Sequence, residues 1–222
     1  MPASYFDVDG TLVTTNLVHP TLFYMVNQAS PVRSLGRVMR GLLGAPAMLL
    51  AESRDRRTFN EMLYQLYEGI SEDRLLSLAD EAFEKVLKKS LYPGAKDLVQ
   101  SCRDSGHDVV LVSGALDILM TRMAEHLGAT HVIANRLEIH RGYATGKMLR
   151  PIVAGPEKAK IIRDHARAHG HDLDACFAYS DSYSDVPMLS VVGQPAAVNP
   201  DAALERLARA YHWPIIRLDR TS

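Results

Sequence analysis

The chain has 222 residues, 47% hydrophobic and 23% charged, with a formal net charge of -1. Such a length buries a real core and suits one large domain or one domain carrying an insertion. The balanced charge argues against a dedicated nucleic-acid binder, which shows a basic excess, and leaves small-molecule chemistry as the expectation.

In chain order, Ser4 to Val8 predicts a short strand, and Asp-x-Asp-Gly-Thr from Asp7 is turn chemistry, with Gly10 supplying an unusual backbone angle. Met1-Pro2-Ala3-Ser4 leads straight into this strand without a basic or apolar leader pattern, so no secretion signal is expected. From about Pro20 to Ser90 the apolar spacing is helical, notably in Thr58 to Tyr67 and Asp73 to Leu87, which reads as a helical insertion. Pro93-Gly94 opens a further helix ending near Gly106. Asp108 to Ser113 is a buried-strand run stopping at Gly114, before a helix from Leu116 to Leu127.

Leu137 to Met148 alternates around Arg141-Gly142 and predicts a hairpin flanking the site. Strand, polar turn and helix then recur at Ala175 to Tyr179 with Ser180 to Asp185, and at Ala196 to Val198 with Asn199-Pro200, the last read as an N-cap and first-turn proline. This alternation predicts an α/β fold with a doubly wound parallel sheet. Ligands in such sheets sit beyond the carboxyl ends of the strands, where Asp7, Asp9, Ser113, Asp181 and Asp185 all fall. Cys102 and Cys176 form no CxxC pair or disulfide framework and are expected in the core of a cytoplasmic protein.

These residues answer the needs of phosphoryl transfer. The phosphorus of a phosphomonoester is shielded by anionic oxygens, so an attacking carboxylate, Asp7, must be held in line while metal and donors neutralise charge. Mg²⁺ prefers hard oxygens, and Asp7, Asp181 and the main-chain carbonyl of Asp9 supply them. Ser113 and the backbone from Gly114, at an expected helix N-terminus, would bind a phosphate oxygen. Lys158, at the start of a helix after Gly155-Pro156-Glu157, brings positive charge. If a helix begins near Ser182, Asp181 and Asp185 share a face, one on the metal and the other on the metal's shell or Lys158. Asp9 is assigned general acid and base work, in an environment separating its pKa from that of Asp7.

Asp7-Val8-Asp9-Gly10-Thr11, Val112-Ser113-Gly114, Lys158 and Ser180-Asp181 to Asp185 resemble, in order and spacing, the four motifs of the haloacid dehalogenase (HAD) superfamily. Ala134-Asn135-Arg136-Leu137, the Gly142 to Gly146 hairpin and Lys158 resemble its subfamily IB, the phosphoserine phosphatase-like branch. The resemblance implies a Rossmann-like core (1–15 and 91–222), a helical class I cap (16–90), an aspartyl-phosphate intermediate hydrolysed by water, and Mg²⁺ dependence. By hand alignment, the branch's acidic residue for a substrate amine falls on Asn16 and its cap arginine near Leu63, so phosphoserine is a poor expected substrate. Ser180 and Ser184 stand where the family often has Gly and Asn. That variant resembles a group with members linked to phospholipid metabolism.

The expected function is therefore a Mg²⁺-dependent phosphatase acting on a small metabolite phosphate or a lysophospholipid or other lipid phosphate. The alternatives are a phosphotransferase or mutase using the same Asp7, and a non-enzymatic receiver-like phosphorylated module. Leu35 to Ala51, without acidic residues and near Arg33, Arg37 and Arg40, allows peripheral contact with an anionic membrane. Pro46 is expected to interrupt it, and a cap helix packed inward is the plainer expectation. His165 and His169, four apart on a helix, lack an evident third metal ligand and are read as a solvated face.

Overall fold

The computed structural model describes residues 1–28 and 30–218. Strand β1 (Ala3–Phe6) is buried along its whole length. It lies between β2 (Asp108–Leu116) and β6 (Phe177–Ser180), with β3 (His131–Asn135) beyond β2 and with β7 (Gln194–Val198) and β8 (Ile215–Ile216) beyond β6. All neighbouring pairs in this six-stranded sheet are parallel. The chain winds from β1 outward through β2 to β3, then returns to the other side of β1, so the doubly wound expectation is met.

Strand alternation divides the core between two faces. Phe6, Leu111 and Tyr179 pack on one side with α5 (Ala95–Asp104) and α6 (Asp117–Leu127). Tyr5, Val110, Val112 and Ala178 pack on the other, with α7 (Pro156–His169), α8 (Val186–Leu189) and α9 (Ala202–Ala210). Cys102 and Cys176 are free thiols in the core.

Between β1 and β2 come α1 (Val18–Val26), α2 (Pro31–Arg54), α3 (Arg56–Tyr64) and α4 (Glu72–Ala82), the last running on through a π turn at Phe83–Leu87. The segments entering and leaving this region run side by side: Thr14 N donates to Ser90 O at 2.7 Å, and Tyr92 N to Leu12 O at 3.0 Å. A hairpin of β4 (Leu137–His140) and β5 (Tyr143–Met148) binds the connection between α3 and α4, through Gly69 N to Ala144 O and Ala144 N to Ile70 O, both 2.8 Å.

Several local expectations are corrected. Helix α2 is not interrupted at Pro46; Pro46 and Leu42 are both exposed, so the carbonyl that proline leaves unpaired lies on the wet face. The side chain of Arg33 lies outside the described residues, whereas Arg37 donates to the carbonyls of Leu66 and Glu68 and Arg40 pairs with Glu68 at 3.2 Å. Asp201, not Asn199, caps α9, accepting from Ala203 N and Leu204 N. Asn199 instead has φ +46° and accepts from Leu218 N. Among the described residues no helix is long and apolar enough to cross a membrane.

Candidate active site

The carboxylate crevice forms where β1 and β6 end, next to the point at which the winding reverses. Asp7 follows β1 directly and its N–H donates to Tyr179 O at 2.9 Å, so the sheet ladder fixes the residue's backbone. Thr11 folds back beneath it: its hydroxyl lies 3.1 Å from Asp7 Oδ2 and 3.1 Å from Asp181 Oδ1, and accepts from Asp181 N at 3.0 Å. One hydroxyl proton serves one carboxylate at a time, so Thr11 spaces the pair without neutralising both. Gly10, at φ +82°, makes this approach achievable; a Cβ there would stand 2.2 Å from Asp181 Oδ2.

Lys158 enters from the first turn of α7. Its Nζ donates to Asp7 Oδ1 at 2.6 Å and to Asp185 Oδ2 at 2.8 Å, all three side chains being buried. Burial pulls the ammonium pKa down, but Asp185 and Asp7 together lift it above the ordinary lysine range, so the charge is retained. Asp185 also accepts from Ser180 Oγ at 2.8 Å. It does not share a helix with Asp181: Tyr183–Asp185 is a 3₁₀ turn and α8 starts only at Val186. Asp185 nonetheless holds Lys158, one of the two roles expected for it, and its charge still acts on Asp181.

Asp9 is buried, with its carboxyl pushed up to about 7, first by burial and then by the neighbouring Asp7. Asp181 is likewise raised to about 7 by burial and by Asp7. Burial also pushes Asp7 up, against the pull of Lys158. Asp7, Asp9 and Asp185 thus line the crevice with Lys158 and Arg56, Asp181 joins Asp7 through Thr11, and the carboxylates outnumber the two cations. A hard divalent cation fits this excess of oxygen donors.

Ser113 is fully buried and donates to Asp9 Oδ2 at 3.3 Å while accepting from Ala115 N. Helix α6 begins at Asp117, one residue after the expected Leu116, because β2 bulges after Ser113 and continues to Leu116, which pairs with Asn135. Gly114 does line the crevice, where a Cβ would meet Asn60 Nδ2 at 2.9 Å. Its carbonyl accepts from Tyr64 Oη at 2.7 Å and from Asn135 Nδ2 at 2.9 Å.

Sequence reasoning missed Arg56 and Asn60. They stand four apart on α3 and both line the crevice, behind the Asp55 cap that starts the helix. Their spacing beside that cap was the available signal. Leu63, where an arginine was sought, is buried and lines an apolar cavity instead, and the exposed Asn16 accepts from Val18 N just ahead of α1. The crevice thus carries a guanidinium after all, two turns nearer the start of α3.

Known proteins bear directly on this geometry. Residues 5–190 match the model of the haloacid dehalogenase-like hydrolases. The phosphoserine phosphatase SerB1 of Mycobacterium tuberculosis is 35% identical over 218 residues, 96% of this chain and 70% of the relative. The "Inhibition of morphological differentiation protein" of Streptomyces azureus is 33% identical over 224 residues, 98% of this chain and 79% of the relative. A protein of unknown function from Bordetella pertussis Tohama I has the same fold, with a TM-score of 0.82 at 24% identity, covering 98% of this chain and 99% of that one. With the match running from β1 through α8, across every carboxylate of the crevice, the chain belongs to the haloacid dehalogenase-like hydrolase family and is a phosphatase-type hydrolase of it.

Proposed function

We propose that the chain hydrolyses a phosphomonoester through a phosphoryl group carried on Asp7. The observation that carries this reading is the fixed pair of Asp7 and Lys158 at 2.6 Å, with Asp9, its carboxyl raised to about 7, two residues away. Asp7 attacks phosphorus as the ester P–O bond breaks, and the leaving oxygen takes the proton of the Asp9 carboxyl. Asp9, now a carboxylate, takes a proton from water. That water attacks phosphorus, the Asp7–phosphorus bond breaks, and inorganic phosphate leaves.

Mg²⁺, when bound, would neutralise the phosphate oxygens and the nucleophile's surplus charge. Asp7, Asp181 and the Asp9 main-chain carbonyl would hold it, with Asp185 in the surrounding shell. Ser113 orients Asp9, Gly114 leaves room for the phosphate, and Lys158 offsets negative charge beside it. Residues 16–90 act as the cap over the 1–15 and 91–222 core, with Arg56 and Asn60 reaching from α3 into the crevice.

Also on α3, Phe59 and Leu63 line an apolar cavity of about 310 Å³ with Leu22, Met25, Leu42 and Met48. This supports a lipid-type phosphate, with an acyl chain against the cap, over a compact polar metabolite. Leu35, Leu42 and Leu43 are exposed on α2, which supports peripheral membrane contact through this face. With Arg37 and Arg40 turned to the Leu66–Glu68 segment, that contact rests more on leucine than on basic charge. The free buried thiols support a cytoplasmic setting.

A phosphate-release assay with Mg²⁺, comparing lysophosphatidate, phosphoserine and sugar phosphates, tests the reading. Release from lysophosphatidate that vanishes in Asp7→Asn supports it. Activity surviving Asp7→Asn removes the nucleophile assignment, and release only when a second alcohol is supplied turns the enzyme into a phosphotransferase.

A further inference from the structure

The far end of α7 carries a second cluster of ligating side chains. Lys158 sits in the first turn of this helix, and His169 is its last residue, eleven positions on, or roughly 16 Å along the axis at 1.5 Å per residue. His165 and His169 do not form the solvated pair expected from sequence. His131, the first residue of the edge strand β3, reaches them, and one ligand nitrogen from each of the three rings lies within 4.8 Å of the others. The missing third ligand is therefore supplied by a residue 34 positions before His165, brought there by the parallel sheet.

The hydrogen bonds prepare these rings as ligands. His169 Nδ1 lies 2.9 Å from the carbonyl of His165, an acceptor only, so Nδ1 bears the proton and Nε2 presents its lone pair. His165 Nδ1 is 3.2 Å from Tyr5 Oη, and its Nε2 is buried with no hydrogen-bond partner. With Nδ1–H donating to Tyr5, that orphaned nitrogen is a second bare lone pair, and Tyr5 provides the outer contact that metal-bound imidazoles characteristically have. His131 completes the set from across the β3–α7 junction, its ring centroid 5.1 Å from that of His165 and 4.7 Å from that of His169. The ordinary alternative, a stack of neutral rings, leaves the buried His165 nitrogen unsatisfied.

We infer that His131, His165 and His169 form a binding site for a borderline divalent transition cation of the Zn²⁺ class, separate from the carboxylate crevice. Imidazole nitrogen selects such cations over Mg²⁺, which takes hard oxygen, so the two ends of α7 would hold chemically different ions. Bound there, the cation ties edge strand β3 to α7, the helix that positions Lys158. Three protein ligands leave one coordination position for water or a small anion.

The test is calorimetric titration of the chelator-stripped full chain with Zn²⁺ in excess Mg²⁺, which occupies the oxygen site. One Zn²⁺ per chain is expected, unchanged in Asp181→Asn and weakened roughly 100-fold or more in His169→Ala and His131→Asn, since losing a side chain that touches the ion costs more than losing one that only hydrogen-bonds to such a ligand. Zn²⁺ should also raise the thermal midpoint of the wild-type chain and not of His169→Ala. His169 is exposed, so this variant keeps the fold should His131→Asn fail to fold. Co²⁺ substitution should give the intense visible bands of nitrogen-rich low-coordinate cobalt. No Zn²⁺ binding under Mg²⁺, or binding and thermal shift unchanged in His169→Ala, overturns the inference. Binding lost in Asp181→Asn while His169→Ala retains it assigns the ion to the crevice and equally overturns it.

Discussion

Lys158 and Asp7 come from opposite ends of the fold's logic, one from the first turn of α7 and the other from the end of β1, and meet at 2.6 Å in a buried ion pair. Because Asp185 takes the same ammonium, removing Lys158 strands two buried carboxylates. Lys158→Met should destabilise the chain by about 3–5 kcal/mol, the usual cost of breaking a buried pair from one side. Urea unfolding in the presence of chelator measures it; a loss below 1 kcal/mol would show that water already screens the pair.

Asp9→Asn keeps the size and removes the proton donor. Turnover should fall by roughly 10²–10⁴ with substrate binding nearly intact. Single-turnover kinetics separates the two, and unchanged turnover would take Asp9 out of the mechanism.

The metal-free protein should lose stability as pH rises. Asp9 and Asp181 titrate near 7 in the fold and near 4 when unfolded, so between these values the folded state holds protons that the unfolded chain has released. The stabilisation is whole below about 4 and gone above about 7. Thermal midpoints in chelator at pH 5 and pH 8 give the sign, and Mg²⁺ should raise the midpoint more at pH 8, where both carboxylates are ionised. A midpoint that climbs from pH 5 to pH 8 without metal contradicts this electrostatic picture.

Arg56→Ala removes a guanidinium from the crevice wall without touching the Asp7–Lys158 pair. A charged hydrogen bond is worth about 1.5–3 kcal/mol, so kcat/KM should fall roughly 10- to 100-fold, chiefly through KM. An equal loss in kcat alone would place Arg56 on the transition state instead.

Leu43 is 80% exposed on α2. Leu43→Asp should abolish co-sedimentation with anionic vesicles while leaving activity on a soluble phosphomonoester unchanged. Absence of wild-type co-sedimentation would leave the leucine face without a membrane role.

The parallel sheet and the polar strand ends were legible because both are local: a buried strand announces itself by an apolar run, and Asp-x-Asp-Gly-Thr needs only its own turn. Gly10 shows how far that locality extends, since its positive φ was expected from sequence while its closeness to Asp181 was not. Boundaries failed where a distant partner decided them. β2 passes Ser113 because Asn135 of β3 pairs with Leu116, and the helix expected from Ser182 starts only at Val186, with the Asp185 carboxylate held by Lys158, 27 residues earlier.

By itself, the sequence determined the chemistry available to this protein: carboxylates for phosphoryl transfer, a lysine at a helix start, and a helical region inserted after the first strand. Tertiary structure decided which of these groups meet. Arg56 in the crevice, Leu63 in an apolar cavity and His131 beside His165 all depend on the packing of helices and strands. Periodicity assigns a residue to a face of its own helix or strand, and only the packing of one element on another determines what that face meets.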